Sequence, residues 1–237
     1  PIINFIYLKI KLSTMIKIGP SGIGGIKEAK KNLEYIHKNK LKAAEIAFTY
    51  STYLKKEGAI EIGKLAKKLS IDLSIHGSYF INLNSTDKKK VAMSKKRILD
   101  ACEIGNYLGA KYIVFHPGFV GKSTREETYE NIKKEMIFLQ KYVEDKKWDV
   151  KLAPETTGKV SVFGSLDETL KLAKESGTAF CIDFAHLKAR NNGKIDFKGG
   201  CDIDGDKVID LIAQECGTAE AGKYYLPDDC CTSFKDD

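Results

Sequence analysis

Short apolar runs alternate with longer amphipathic stretches along most of this chain. In the longer stretches, apolar residues recur about every 3.6 positions, which is typical of helices that pack on a sheet. We predict strands at Ile16–Ile18, Ala43–Phe48, Asp72–His76, Tyr112–His116, Val150–Ala153 and Ala179–Asp183. We predict helices at Gly25–His37, Glu57–Leu69, Lys88–Leu108, Glu126–Glu144 and Leu166–Ser176.

Local signals mark the ends of two of these helices. Ser165 and Glu168 have the spacing of a capping box, in which each side chain binds the backbone N–H of the other residue. Gly109 and Gly177 follow the last apolar positions of their helices, where glycine commonly stops a helix. These signals support the helix boundaries independently of the hydrophobic pattern.

Strands that alternate with helices of this length predict βαβ units and a parallel sheet. No GxGxxG turn follows the first strand, which argues against a dinucleotide-binding fold. We therefore predict an α/β fold, a TIM-type (β/α) barrel with about six clear βα units and an incomplete or degenerate C-terminal part. We interpret residues 1–14 as an N-terminal extension and residues 15–237 as one barrel domain, with residues 198–237 atypical.

The composition is that of a soluble globular protein, with 43% hydrophobic and 30% charged residues. A net charge of +7 fits an anionic partner such as nucleic acid, although only weakly. No apolar run approaches the ~20 residues that span a bilayer, so we expect no membrane partner. The six cysteines include no CxxC pair, which favours a reducing, cytoplasmic location.

Five side chains that can bind a metal ion end or follow consecutive predicted strands. They are His76, His116, Glu155, Asp183 and His186. The C-terminal ends of barrel strands open on one face, where active sites are built, so we expect these groups to meet. Imidazoles and carboxylates suit Zn²⁺, with Mn²⁺ or Fe²⁺ as possibilities. Such ions can activate water near neutral pH and stabilise a phosphodiester displacement. The fourth histidine, His37, is predicted to lie on the surface.

Four short motifs carry a family resemblance. They are HGSYFINLNS at residues 76–85, FHPG at 115–118, PETTG at 154–158 and CIDFAH at 181–186. In their order and spacing they resemble the endonuclease IV family of zinc-dependent apurinic/apyrimidinic endonucleases, which have a xylose isomerase-like TIM barrel. The resemblance extends from about Met15 to Ile195.

The resemblance implies hydrolysis of the phosphodiester 5′ to abasic sites in double-stranded DNA, as in base excision repair, by a zinc-activated hydroxide. It implies up to three Zn²⁺ ions, with His76, His116 and Glu155 at the first. The catalytic Glu155 would bridge to a second ion, which Asp183 also binds, and His186 would belong to a third. We expect the protein to act as a monomer.

The resemblance also implies DNA contacts. Tyr79 matches an aromatic residue that enters the duplex, where a ring can replace lost base stacking. Lys122, Arg125, Lys188 and Arg190 follow strands on the same face of the predicted barrel, and we predict that they contact phosphates. Asn82 is expected to brace the loop that carries Tyr79.

The chain departs from the family pattern near its end, because no histidine follows His186. The late zinc ligands of the family therefore lack counterparts, and fewer ions are a possibility. Two alternatives remain open: a sugar isomerase or epimerase on a related barrel, and an inactive relative that binds DNA or metal. The Tyr-x-Ile-Asn-Leu run after His76 favours the nuclease, because a sugar enzyme needs no aromatic wedge there.

Overall fold

The computed structural model describes residues 17–193, in which four strands form one parallel sheet in the order β1-β2-β3-β4. The strands are β1 (Ala43–Ala47), β2 (Asp72–His76), β3 (Ala110–Phe115) and β4 (Lys151–Pro154). The helices are α1 (Ile26–Lys38), α2 (Lys56–Lys68), α3 (Lys88–Leu108), α4 (Arg125–Asp145), α5 (Leu166–Ser176) and α6 (Phe184–Arg190). The α/β alternation is confirmed, while the expectations for residues 1–16 and 194–237 lie outside the described residues.

The prediction of regular strands at the first and sixth positions is wrong. Of the first, only residues 17 and 18 are described and neither is in a strand, while Ser21, three residues later, makes a single parallel bridge to Glu45. Of the sixth, Cys181 makes a single parallel bridge to Glu155. Both segments therefore lie beside the sheet in the expected direction, but their pairing is limited. Near the first bridge, Pro20 has no N–H to donate to a ladder, although its carbonyl accepts from Glu45 N at 3.1 Å. Each segment forms an irregular flank rather than a full strand.

Alternation along the strands separates a helix-covered face from a polar face. Leu73 and Ile75 of β2 are buried in the main hydrophobic core, together with residues of α2, α3 and α4. Since successive side chains of a strand point to opposite faces, Ser74 and His76 point away from that core. None of the helices in the described part is long and apolar enough to cross a membrane.

The helix ends agree with the sequence signals. Ser165 Oγ accepts from Glu168 N at 3.2 Å, and Glu168 Oε2 accepts from Ser165 N at 2.9 Å. Gly109 and Gly177 adopt positive φ of 68° and 71°, as the glycine stop requires. A second capping box, between Thr124 and Glu127 at the start of α4, was not predicted, although its residue pattern is present in the sequence.

A close approach between two helices depends on Gly63 in α2. A Cβ at this position would lie 2.4 Å from Leu108 O and 2.8 Å from Leu108 C, at the end of α3. These are backbone atoms, which cannot rotate away as a flexible side chain can. The packing of α2 against α3 therefore needs a residue without a side chain.

We predict that Gly63→Ala lowers the free energy of unfolding by about 1–3 kcal/mol, because the two helices must move apart. Gly58→Ala in the same helix is the matched control, since its nearest neighbour would be Leu54 Cδ2 at 4.0 Å. It should be neutral or stabilise by up to about 1 kcal/mol through helix propensity. Urea unfolding followed by circular dichroism checks both, and equal effects of the two changes would contradict the packing argument.

Candidate metal centre

Three adjacent strand ends bring His76, His116 and Glu155 together. His76 is the last residue of β2, and the other two residues directly follow β3 and β4. Glu155 Oε2 lies 3.1 Å from His76 Nε2 and 2.7 Å from His116 Nε2. Two atoms that each lie about 2.0–2.1 Å from one Zn²⁺ would be roughly 3 Å apart. The observed spacing therefore suits ligands of a shared ion.

His116 supplies an independent test of this fit. Its Nε2 is buried and has no hydrogen-bond partner among the described residues, although Glu155 Oε2 is only 2.7 Å away. The contact is close but does not have hydrogen-bond geometry. A buried polar atom normally makes a hydrogen bond, so a buried imidazole nitrogen that makes none beside a carboxylate fits a metal ligand.

Backbone carbonyls orient two of the imidazoles. His76 Nδ1 lies 2.9 Å from Gly77 O, and His186 Nδ1 lies 2.9 Å from Thr156 O. A carbonyl can only accept, so Nδ1 carries the proton in each bond. When these rings are neutral, Nε2 therefore presents its lone pair, which is the form that binds a metal.

Glu155 also belongs to a second group, with Asp183 and His186. Within each of the two groups, the possible ligand atoms all lie within 4.8 Å of one another. Asp183 is the N-cap of α6, and its Oδ1 accepts from His186 N at 2.8 Å. The rings of His116 and His186 are 5.1 Å apart between centroids, so the two groups are adjacent. All five predicted ligands therefore meet at one place.

The electrostatics of the centre favour an ionised Glu155. Burial by itself would raise the pKa of this carboxyl, but His116 and His76 outweigh it and lower the pKa to about 2. Burial would likewise lower the pKa of His76, but its contacts with Glu155 and Gly77 raise it. Glu155 is thus a buried negative charge at neutral pH, as a cation site requires.

Cys181 is a member of the site that the sequence analysis treated only as a buried thiol. Its Sγ lies 3.9 Å from Glu155 Oε1. Burial, followed by the charge of Glu155, raises the pKa of this thiol, so it stays protonated without a metal. A signal was available in the sequence, because Cys181 and Asp183 are two residues apart and lie on one side of an extended segment.

The predicted aromatic contact lies directly beside the centre. Tyr79 is 58% exposed, and its ring centroid is 5.6 Å from that of His76 and 6.4 Å from that of His116. Asn82 Oδ1 accepts from Phe119 N at 3.3 Å, which ties the Tyr79 loop to the loop after β3. The expected bracing role of Asn82 is confirmed.

The four predicted phosphate contacts divide into two kinds. Lys122 and Lys188 are exposed, and neither side chain makes an ion pair within residues 17–193. Arg125 forms an ion pair with Glu168 at 2.5 Å and donates to Val160 O. Arg190 is only 9% exposed in its side chain and donates to carbonyls of the neighbouring loop, including Lys159 O at 2.7 Å. The two arginines therefore stabilise the packing of the loop at residues 157–162 against the neighbouring helices.

We predict that Arg190→Ala lowers the free energy of unfolding by about 1.5–3 kcal/mol, because carbonyls of the loop at residues 157–162 lose a charged donor. Lys188→Ala, in the same helix, should change it by less than about 0.5 kcal/mol, as an exposed substitution usually does. Urea denaturation at neutral pH measures both. A loss of stability at Lys188 as large as that at Arg190 would contradict this division.

We predict that His116→Ala weakens the binding of the first Zn²⁺ by at least roughly 100-fold, because it removes a direct ligand. The matched control is His37→Ala, since His37 is exposed at the end of α1, as expected from the sequence. Metal analysis of chelator-washed protein, followed by competition with a coloured chelator, gives the affinity. Unchanged zinc affinity in His116→Ala would rule out this ligand.

Comparisons with known proteins bear on both the fold and the centre. Residues 33–225 match the profile of the xylose isomerase-like TIM barrel family. An uncharacterized protein of Methanocaldococcus jannaschii is 36% identical over 182 residues, which are 76% of this chain and 66% of that protein. The apurinic-apyrimidinic endonuclease of Caenorhabditis elegans is 30% identical over 156 residues, 63% of this chain and 36% of that protein. The chain thus spans less than two thirds of the length of either relative.

Solved structures show the same fold in enzymes of different kinds. Endonuclease IV from Thermus thermophilus superposes with a TM-score of 0.61 and 21% identity, over 84% of this chain and 71% of that one. A putative xylose isomerase from Rhodospirillum rubrum gives 0.66 and 14%, over 83% and 73%. At such identities the likeness concerns the fold alone. With the profile match over most of its length, the chain belongs to the xylose isomerase-like TIM barrel family, and its relatives include endonuclease IV homologues, as the motifs predicted.

Proposed function

We propose that this protein is a metal-dependent endonuclease that hydrolyses the phosphodiester 5′ to abasic sites in double-stranded DNA, as in base excision repair. The observation that carries the proposal is the position of the exposed Tyr79 ring next to His76 and His116. A cation site for phosphate chemistry and a ring that can replace a missing base thus lie side by side.

The first group of ligands supports the choice of Zn²⁺, with Mn²⁺ as a possible substitute. His76, His116 and Glu155 offer two imidazoles and a carboxylate, which is a donor set of catalytic zinc sites. When bound, zinc would supply hydroxide at neutral pH and polarise a phosphoryl oxygen. Glu155 would hold the cation through its buried negative charge, while the Gly77 carbonyl keeps the His76 ring in place.

An aromatic rim, of which Tyr79 lies directly beside the centre, supports a nucleic-acid substrate. The rim consists of Tyr50, Tyr79 and Phe80, which are 73%, 58% and 57% exposed. The rings of Tyr50 and Phe80 are 6.1 Å apart between centroids, so they form a continuous surface. Stacking of a base on such a ring contributes about 1–3 kcal/mol. An abasic nucleotide has no base to stack, and Tyr79 would fill the space that it leaves.

Two exposed lysines support contacts to the DNA backbone. Lys122 lies in the loop after β3, and Lys188 lies in α6, the helix that begins next to Asp183 of the centre. Their exposed ammonium groups would neutralise phosphates, which supply most of the salt-sensitive affinity of DNA-binding proteins. Arg125 and Arg190, which the sequence also suggested as phosphate contacts, would act indirectly by holding the loop at residues 157–162.

The two other functions considered from the sequence make different demands. A sugar isomerase or epimerase shares the fold, but it would not need an exposed aromatic rim to bind a small sugar. An inactive relative would explain why no histidine follows His186. The rim beside the five converging side chains supports the nuclease over the sugar enzyme, and the cleavage assay separates the nuclease from an inactive relative. The cytoplasmic location and the monomeric state stay predictions.

The decisive experiment incubates the full chain with a duplex that contains one abasic site and with the same duplex intact. We expect zinc-dependent cleavage 5′ to the abasic site only, and its loss with a chelator. Glu155→Gln should reduce the rate at least roughly 100-fold, since it removes the charge that holds the ion. His37→Ala should leave the rate unchanged.

Two outcomes would overturn the proposal. One is the absence of cleavage by zinc-loaded wild-type protein, which would favour an inactive relative. The other is zinc-dependent interconversion of ketose sugars by the same preparation, which would favour the sugar enzyme. Cleavage that survives Glu155→Gln would instead remove the assigned centre from the reaction.

A further inference from the structure

We propose that Asn84 is a positioning residue that fixes the Tyr79 loop (residues 77–84) to the loop after β3 (residues 116–124). Through this contact the Tyr79 ring keeps its place beside the imidazoles. Asn84 lies within the segment at residues 76–85, whose pattern suggests no role for it. The inference rests on the proposed function for the task of the ring, whereas the contact between the two loops can be measured without DNA.

The Asn84 side chain is buried, at 8% exposure, and joins two segments that are distant in the chain. Its Nδ2 donates to Phe119 O at 2.9 Å and to Val120 O at 3.1 Å, both in the loop after β3. These two oxygens are carbonyls, which can only accept, so the nitrogen of the Asn84 amide must face them. Neither a carboxylate nor a hydrocarbon at this position could supply the two bonds.

The same amide also binds side chains of α4. Asn84 Nδ2 lies 3.1 Å from Thr128 Oγ1, and the Thr128 hydroxyl donates its own proton to Thr124 O at 2.8 Å. The Thr128 oxygen therefore accepts from Asn84. On the other side of the amide, Asn84 Oδ1 accepts from Asn131 Nδ2 at 2.9 Å. The nitrogen and the oxygen of the amide are both occupied, so its orientation is fixed from two sides.

Bonds of the neighbouring residues continue the contact between the two loops. Leu83 N donates to Pro117 O at 2.9 Å. Asn82 Oδ1 accepts from Phe119 N at 3.3 Å and from Asn84 N at 3.1 Å. The bracing by Asn82 and the clamp by Asn84 thus meet at Phe119, where Asn82 holds the N–H and Asn84 holds the carbonyl.

The contact matters because of what the two loops carry. Tyr79 lies near the start of the first loop, and its N–H donates to Thr49 O at 3.1 Å. The second loop begins with His116, whose ring centroid is 6.4 Å from that of Tyr79, and it contains Lys122. A shift between the loops would change the place of the ring relative to the imidazole. Displacements of about 1 Å near a reacting group can lower a rate by about 100-fold.

Asn84→Asp is the most direct test, because it keeps the side-chain shape but places an oxygen against the two carbonyls. Without DNA, hydrogen exchange at the Leu83 and Phe119 amides should become at least about 10-fold faster, while exchange in β4 stays unchanged. On the abasic duplex, kcat/KM should fall at least about 10-fold. Zinc affinity should stay within a few-fold of the wild type, since no ligand is changed.

The same substitution at Asn106 is the matched control. Asn106 lies near the end of α3, where its Oδ1 accepts from Asp149 N at 2.9 Å. An aspartate keeps this acceptor, so Asn106→Asp should change neither the exchange at Leu83 nor the cleavage.

A double variant shows whether Asn84 acts through the ring. In a protein that already carries Tyr79→Ala, Asn84→Asp should lower kcat/KM by less than about 2-fold, because the two changes remove the same contribution. A merely structural role would give the full loss in both backgrounds.

Asn131→Ala keeps the inference testable if circular dichroism shows that Asn84→Asp fails to fold. Asn131 is exposed, and its loss leaves Asn84 Oδ1 without this donor. The exchange at Leu83 and the cleavage should change in the same direction as in Asn84→Asp, by a smaller factor.

Three outcomes would overturn the inference: unchanged exchange at Leu83 and Phe119 in Asn84→Asp, equal effects of Asn106→Asp, or a full loss of kcat/KM in the Tyr79→Ala background. Failure of the proposed function looks different. A wild-type protein that cleaves no abasic duplex would defeat that function, while faster exchange at Leu83 in Asn84→Asp would still support the contact between the loops.

Discussion

The structure of the centre depends on one buried carboxylate between two imidazoles. Glu155 is 6% exposed, and removing a charge from water is costly unless partners compensate for it. Here His116 and His76 compensate, so the pKa of Glu155 falls to about 2 despite its burial. The centre thus holds a permanent negative charge where three strand ends meet, and a divalent cation is the partner that such a site suits.

The surrounding scaffold serves to hold this carboxylate and its neighbours. Gly164 has a φ of +121°, and a Cβ there would lie 2.8 Å from Glu155 O. The loop before α5 can therefore approach the Glu155 backbone this closely only with glycine at this position. Arg190 and Glu168 tie the same loop to α6 and α5. Loss of these ties would move the ligands without touching them, which is how residues outside a metal site commonly affect it.

The same fold occurs in enzymes of different kinds, so the fold does not decide the activity. The surface beside the ligand side chains bears more directly on the activity of this chain. Tyr79 is exposed beside the imidazoles, and Tyr50 and Phe80 form a second exposed aromatic pair, whereas a sugar enzyme would be expected to enclose its small substrate. The proposal of a DNA substrate therefore comes from exposure and position, and not from the architecture.

The sequence by itself determined five of the six helices in the described part, the four central strands and the five side chains that meet at the candidate metal centre. Hydrophobic period and capping residues act locally, and strand ends of a parallel sheet must meet on one face. Only the tertiary structure decided which basic side chains are exposed. Lys188 and Arg190 are both basic residues in one short stretch of the sequence, but only Arg190 donates to carbonyls of a neighbouring loop. The tertiary structure also decided that Thr156 joins Asp183 to His186. Such contacts depend on the distance between segments that are far apart in the chain, which no local pattern records.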